Sequence, residues 1–440
     1  MNSLWHWCDV AGILVDSRLE LRQVTDDELE SEKGSYALTA CADIGSGELL
    51  VYIPDDWIIS RRTVRAFAGD EELSLALSLL WEQQKGLESR FYGYLNSLPK
   101  ASNALAWGPS STEAFWLAGT EAERALRRAE RTWLIGEPDG FCISRLHAYW
   151  TAHHEQAGIR ASLWPKFVDA FALVSSRAFV LNEWHGLAMV PIADMFNHAD
   201  MQNVQIEADS AGNATTAVSS SGIVVRSSAA IDAGEEAINS YGELSNSELL
   251  CRYGFVLDAR TGWERSTWDC GAPSDLTELV EAFSLHESAP VCARAVAALE
   301  PQCADIQRAN ATDCFPPPFV DERGTFDIAP VLARDKTPLF IDAMGRPSWP
   351  LWQLAIASAL YPNRSLEALV EVATSDLVCW PSDVTRSANG TIRRLCQQRL
   401  NKLRVTTEEH AALEVISVSP LLTARQKHSS GLCTACTAGK

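Results

Sequence analysis

Two blocks of the chain carry residues whose types and spacing could do chemistry. One is Pro191-Ile-Ala-Asp-Met-Phe-Asn-His198; the other is Ser240-Tyr-Gly-Glu-Leu-Ser-Asn-Ser-Glu-Leu-Leu-Cys-Arg-Tyr-Gly-Phe255. Asn197 and His198 follow an apolar run directly. A buried Asn-His pair offers amide, imidazole and backbone groups that can bind a polar cofactor head. Tyr241 and Tyr253 each precede a glycine. Paired tyrosines offer hydroxyls and ring faces that can enclose a cation. Arg177 lies in an apolar helical stretch, where an unpaired charge is costly; a structural salt bridge is one reading of it.

Three other patterns carry less. Asp43-Ile-Gly-Ser-Gly47 resembles the acidic glycine loop of Rossmann-type folds. That loop must open a helix aimed at the cofactor, whereas Glu48 to Ile53 reads as a strand stopped by Pro54, so a hairpin turn is expected. His153-His154-Glu155 suggests metal, but adjacent histidines do not share a helix face; a solvated helix is expected. Cys433-Thr-Ala-Cys436 is a lone pair in a polar tail and cannot supply four zinc ligands.

These residues need elements to position them. Tyr36 to Thr39 and Leu49 to Pro54 read as strands around a glycine turn. Helical periodicity covers Glu71 to Gln84, Thr120 to Leu134 and Trp164 to Leu181. Val204 to Glu207 and Gly222 to Arg226 read as a hairpin with a long Ser/Gly/Asn-rich tip, Asp209 to Ser221. Asp232-Ala-Gly234 gives a turn and then a short strand ending near Tyr241. From about Leu276 the signals are helical: Leu276–Ser284, Ala289–Glu300, Leu351–Leu360, Ser365–Ala373, Ala388–Leu403 and Thr407–Ile416. Phe315-Pro-Pro-Pro318 is a stiff connector. The tail after Thr423 is polar and expected to fray.

Composition bounds the rest. The chain has 440 residues, a length that suits two or three domains. Its net charge of −20 disfavours a general nucleic-acid binder, and a basic protein partner or cationic cofactor would be attracted. The acidic run Asp26 to Glu32 reads as a solvated face. No apolar run reaches the ~18–20 residues of a membrane span, and Met1 to Val10 lacks a signal-peptide pattern. Twelve scattered cysteines read as reduced thiols of a cytoplasmic or nuclear protein.

The Asn-His motif, the Ser240-Tyr-Gly strand and the Tyr253-Gly-Phe ending together resemble the SET domain of protein methyltransferases. The resemblance is closer to the Rubisco large-subunit methyltransferase-like branch, which splits its SET domain with a helical insertion and appends a helical substrate-binding domain. Leu4-Trp-His-Trp-Cys, Arg90-Phe-Tyr-Gly-Tyr-Leu-Asn-Ser-Leu-Pro99, Phe115-Trp-Leu-Ala-Gly-Thr120, Ser175-Ser-Arg-Ala-Phe179 and Ala233-Gly-Glu-Glu236 resemble it too. The resemblance implies an α+β fold: a SET domain of short twisted strands at 1–265 with a helical insertion at about 60–181, an all-α domain at 275–420, and a tail at 424–440. It implies methyl transfer from S-adenosylmethionine to a lysine of a non-histone protein by a monomer. Tyr241 would be the catalytic tyrosine. Asn197 and His198 would hold the cofactor, with Tyr36, Asp194 and Phe255 contributing and Arg177 meeting its carboxylate end. Tyr253, with Arg177, would face the substrate, and no metal is implied. Aligned on Leu38-Thr-Ala40, Ser35 and Ala37 stand where the family's first cofactor loop carries glycines, and side chains there would crowd the cofactor. Two alternatives keep the fold. One transfers the methyl group to a histidine. The other is a degenerate module that binds a protein without catalysis; Ser35 and Ala37 favour it, and Asn197, His198, Tyr241 and Tyr253 oppose it.

Overall fold

The computed structural model describes residues 2–24, 35–107, 117–133, 142–199, 201–209, 221–257, 263–268, 273–283, 339–342, 344–360 and 382–403. The hairpin tip at 210–220, the acidic run Asp26 to Glu32 and the Phe315–Pro318 connector lie outside these residues. So do the helices expected at Ala289–Glu300, Ser365–Ala373 and Thr407–Ile416, and the tail with Cys433 and Cys436.

The N-terminal half is built on short strands. Leu49–Pro54 is apolar on both faces, Tyr52 included, and almost wholly buried, as suits a strand inside a sheet. It pairs antiparallel with Leu14–Val15 on one side and Gly222–Ser227 on the other, and Gly222–Ser227 pairs in turn with Val204–Asp209. The expected hairpin is therefore present. The turn at Asp43–Gly47, however, does not join partners. Ser35–Ala40 pairs with Leu19–Val24 instead, and Ile44 bridges to Ile231. The glycine loop carries the chain from one sheet to another, so the hairpin reading of that turn is corrected. The Rossmann geometry is equally excluded, because a strand and not a helix follows it.

The helical insertion is anchored by Glu71–Lys85. Asp70 caps it by accepting from Leu73 N at 3.1 Å, acidic residues fill its first turn and Lys85 its last, each favourable to the helix dipole. It packs against Trp164–Arg177, whose second residue is proline. That helix stops four residues before the expected Leu181. Ala178–Val180 leaves it to pair with Leu187–Met189, which also pairs with Ile59–Ser60. The sheet hydrogen bonds override helical periodicity there. Similarly, helix Glu121–Glu130 gives way to strand Arg131–Trp133, paired with Cys142–Ser144.

Beyond residue 265 a separate apolar cluster forms around Trp268, Leu279, Leu354 and Leu395. It is helical at Pro273–Ala282, Trp349–Leu360 and Ser382–Lys402. It also carries a two-stranded antiparallel sheet, Arg265–Trp268 with Leu339–Asp342, which the periodicity did not reveal. Buried ions tie this cluster to the insertion: Glu278 faces Arg124 at 4.0 Å, Arg399 at 2.9 Å and Lys402 at 2.6 Å, and accepts from Trp268 Nε1 at 2.8 Å. Gly119 lies so close to the Lys402 backbone that no Cβ fits between them.

Candidate active site

A parallel strand pair brings the two sequence blocks together. Asn197 lies opposite Ile238 and His198 opposite Asn239. The Asn203 side chain clips the pair, donating to Glu236 O at 2.9 Å and accepting from Ile238 N at 2.6 Å. This register sets Tyr241 against His198. Tyr241 N donates to His198 Nδ1 at 3.0 Å, and the two rings lie 5.1 Å apart at 22°. Because Nδ1 accepts, the neutral imidazole carries its proton on Nε2. The Tyr241 hydroxyl donates to Phe196 O at 3.0 Å. Burial pushes its pKa well up, so it stays a neutral hydroxyl through the physiological range.

Tyr253 and Phe255 arrive from helix Asn246–Tyr253. Ser245 and Glu248 close a capping box at its start, and Gly254 ends it in the left-handed region at φ 84°. A Cβ on Gly254 would sit 3.1 Å from the Asn103 backbone. Asn103 Nδ2 also donates to Ala172 O at 2.8 Å and to Arg252 O, so this buried asparagine clamps the turn. Tyr253 then lies 4.6 Å from Tyr241, and Phe255 lies 6.2 Å from His198, ring centre to ring centre. These four half-buried rings thus form one contiguous cluster.

Asn197 uses both amide hydrogens inside the protein. Nδ2 donates to Tyr36 O at 3.0 Å and to Glu236 Oε1 at 2.7 Å, which leaves Oδ1 as its acceptor. Tyr36 therefore reaches the site through its carbonyl, while its side chain is exposed. Ala37, next along that strand, is buried.

Arg177 ends its helix facing Asp194. Its Nη1 donates to Asp194 O at 2.9 Å and Oδ2 at 3.2 Å, and Tyr94 OH donates to Oδ2 at 2.8 Å. The Asp194 side chain is wholly enclosed, whereas 23% of the Arg177 side chain remains exposed. Burial pushes the Asp194 carboxyl pKa up, with Arg177 and Tyr94 partly offsetting it. Burial pulls Arg177 down, but Asp194 more than compensates and keeps it cationic. The salt-bridge reading of Arg177 is thus realised, with part of its guanidinium still facing outward. The Asp194 side chain is turned to position Arg177 and exposes no surface of its own. Just upstream, Ile192 is the one non-glycine residue at positive φ, 68°, among the described residues.

Sequence reading missed Tyr94, Glu236, Asn103 and the Phe196 carbonyl. Tyr94 and Glu236 do lie inside stretches that carried the family resemblance, and that was the available signal. His153 and His154 are not simply solvated: His153 stacks on Tyr149 at 4.1 Å and His154 on Trp150 at 5.0 Å.

The strand pairings, the helical insertion and the C-terminal helical cluster share the fold of the solved SET-domain structures of Rubisco LSMT. The crystal structure of the SET domain of LSMT bound to methyl-lysine and AdoHcy superposes with TM-score 0.63 at 16% identity, covering 99% of this chain and 88% of that one. Rubisco LSMT bound to AdoMet gives TM-score 0.58 at 16% identity, with the same coverage of each. In sequence, the chain is 25% identical over 266 residues to ribosomal lysine N-methyltransferase set10 of Schizosaccharomyces pombe, covering 58% of this chain and 46% of that protein. It is 26% identical over 278 residues to the chloroplastic [fructose-bisphosphate aldolase]-lysine N-methyltransferase of Arabidopsis thaliana, covering 58% and 52%. The matched region thus spans about half the length of these relatives. No protein-family model matches the chain.

Proposed function

We propose that this chain is an S-adenosylmethionine-dependent protein-lysine N-methyltransferase acting on a non-histone protein. One observation carries the reading: Tyr241 is held by Phe196 O and His198, with the Tyr253 ring 4.6 Å away. That arrangement suits a narrow channel for an amine beside a cationic methyl donor. The donor set fits the cofactor. Asn197 Oδ1 and the adjoining strand backbone accept from its amino-acid part, His198 and Phe255 flank its adenine, and the exposed edge of Arg177 meets its carboxylate. When bound, S-adenosylmethionine supplies a methyl group already activated by its sulfonium.

The protein's share is positioning and desolvation. A free lysine has a pKa of ~10.4 and its ammonium cannot attack. A channel walled by Tyr241 and Tyr253 disfavours the ammonium and lowers that pKa. The proton leaves to water before transfer, because the neutral Tyr241 hydroxyl is no base at physiological pH. Tyr241 instead orients the amine with its oxygen lone pairs. Asp194 and Tyr94 hold Arg177 in place. The helical region from about 275 to 420 would dock the protein substrate. A cytoplasmic or nuclear setting accords with Cys8, Cys41, Cys251 and Cys396 being free thiols.

The test is calorimetric titration with S-adenosylmethionine, beside Asn197→Ala, followed by labelled-methyl transfer to protein lysines. Micromolar binding that is lost in the variant, with label on lysine, is the expected result. Absence of binding to the wild-type chain would overturn the enzyme reading and leave a binding module. In that case the side chains that replace the family's glycines, Ser35 and Ala37, would be the first suspects.

A further inference from the structure

One face of this acidic chain carries charge of the opposite sign. The protein has 57 acidic residues against 37 Lys and Arg, yet the segment after strand Ile59–Ser60 exposes Arg61, Arg62 and Arg65 in close succession. Arg90 joins them by donating to Thr63 O at 3.2 Å. These guanidiniums are held mainly by carbonyls and rings. Arg62 donates to Trp184 O at 2.9 Å and lies 4.0 Å from the Trp184 ring centre. Arg65 donates to Gln156 O at 2.7 Å, 5.8 Å from the Trp81 ring centre, whose ring Lys85 also covers at 3.6 Å. Arg90 lies over Trp57 at 5.7 Å and Phe91 at 4.8 Å. Arg61 has Glu71 at 3.8 Å. Among the described residues, Arg62, Arg65 and Arg90 have no carboxylate within ion-pair distance. Arg18, Arg124, Arg145 and Arg399, by contrast, each have at least two.

The difference has a physical consequence. A carbonyl or a ring face fixes a guanidinium without cancelling its charge. The planar fork is then immobilised in advance, with N–H edges left to receive a carboxylate in bidentate fashion. Side-chain entropy normally weakens surface ion pairs, and here much of it is already spent in the fold. Trp184, 59% exposed, adds the kind of aromatic anchor on which protein interfaces centre.

We infer that this arginine–tryptophan face binds an acidic, Asp/Glu-rich segment of a partner protein. Two observations set that partner above a nucleic acid. A polyanion longer than the patch would run onto a surface whose overall charge is −20, whereas a short acidic segment ends where the patch ends. Trp81 is also covered by both Arg65 and Lys85, where a base would have to stack. The assignment does not depend on methyl transfer.

Fluorescence anisotropy of the full chain with a short labelled Glu-rich peptide tests it. The peptide should bind, weaken with added salt, and lose at least roughly tenfold in affinity with Arg62→Glu, Arg65→Glu and Arg90→Glu combined. The same peptide with Gln for Glu should not bind. The Lys triple variant, which keeps charge but not the planar fork, should fall between. Circular dichroism and thermal melting check that the reversal folds; should it not, the Gln variants at Arg65 and Arg90 replace it. Undiminished peptide binding in the folded variants, equal binding of the Gln peptide, or tighter binding of a single-stranded oligonucleotide of equal charge would each overturn the assignment.

Discussion

Tyr241 shows how much of the site a single residue carries. Its amide fixes His198 as the Nε2–H tautomer, its hydroxyl is tied to Phe196 O, and its ring belongs to the aromatic cluster. Tyr241→Phe should lower methyl transfer by roughly a hundredfold or more while calorimetric affinity for S-adenosylmethionine stays near wild type; full activity would remove the hydroxyl from the chemistry. Asn197, His198, Tyr241 and the Tyr253-Gly-Phe255 turn were legible in the sequence because each is a polar or aromatic group set beside a strand or turn signal. Tyr94 and Glu236 were not, since they act on residues 100 and 39 positions away. The Phe196 carbonyl could not have been found from residue type, since every residue has one.

At the level of elements, periodicity found most of the described helices but fewer than half of the strands, and it missed how the strands pair. Leu49–Pro54 matched its expected bounds, yet its partners came from 36 to 38 and some 170 residues away. Nothing local in Asp43–Gly47 distinguishes a hairpin turn from a crossing between sheets. The same competition shortened helix Trp164–Arg177, where strand pairing overrode an apolar pattern. Caps were more local and can be probed separately. Asp70 caps helix Glu71–Lys85 and pairs with Arg145 at 2.7 Å. Burial raises its pKa, but the Arg145 and Leu73 hydrogen bonds outweigh that and the net shift is downward. A carboxylate lowered in the fold adds stability above its unfolded pKa of ~3.9 and loses it as pH falls through the folded value. Asp70→Asn keeps a good cap and removes the charge. Its thermal midpoint should be slightly lower near pH 7, by about 1 kcal/mol or less in stability. It should also fall less steeply than wild type between about pH 5 and 3. Parallel melting curves at those pH values would refute this.

For the molecule as a whole, the junction of the two halves is ionic and buried. Glu278 holds Arg124 of the insertion together with Arg399 and Lys402 of the last described helix. Removing Glu278 takes an enclosed carboxylate from Arg399 and Arg124, which keep Asp275 at 3.3 and 3.6 Å, and leaves Trp268 Nε1 without its acceptor. Glu278→Ala should therefore cost about 1–3 kcal/mol, seen as an earlier urea midpoint. Glu278→Gln, which can still accept from Trp268 Nε1, should recover part of it. An unchanged midpoint in the Ala variant would show that the halves are held by apolar contact alone. Neither the charge count nor the helical signals of the sequence pointed to this junction, because its members come from residues 124, 278, 399 and 402.

Ile192 gives the site a further property. A β-branched residue in the left-handed region costs on the order of 1–2 kcal/mol, and Ile192 endures it fully buried in the N-terminal core. Only a complete core can hold the backbone there, five residues before Asn197. A chain with that core still loose has no stable Asn197–His198 strand to present. Ligand binding at Asn197 and packing of the core are therefore coupled: a ligand held only by the ordered strand stabilises the packed core by mass action.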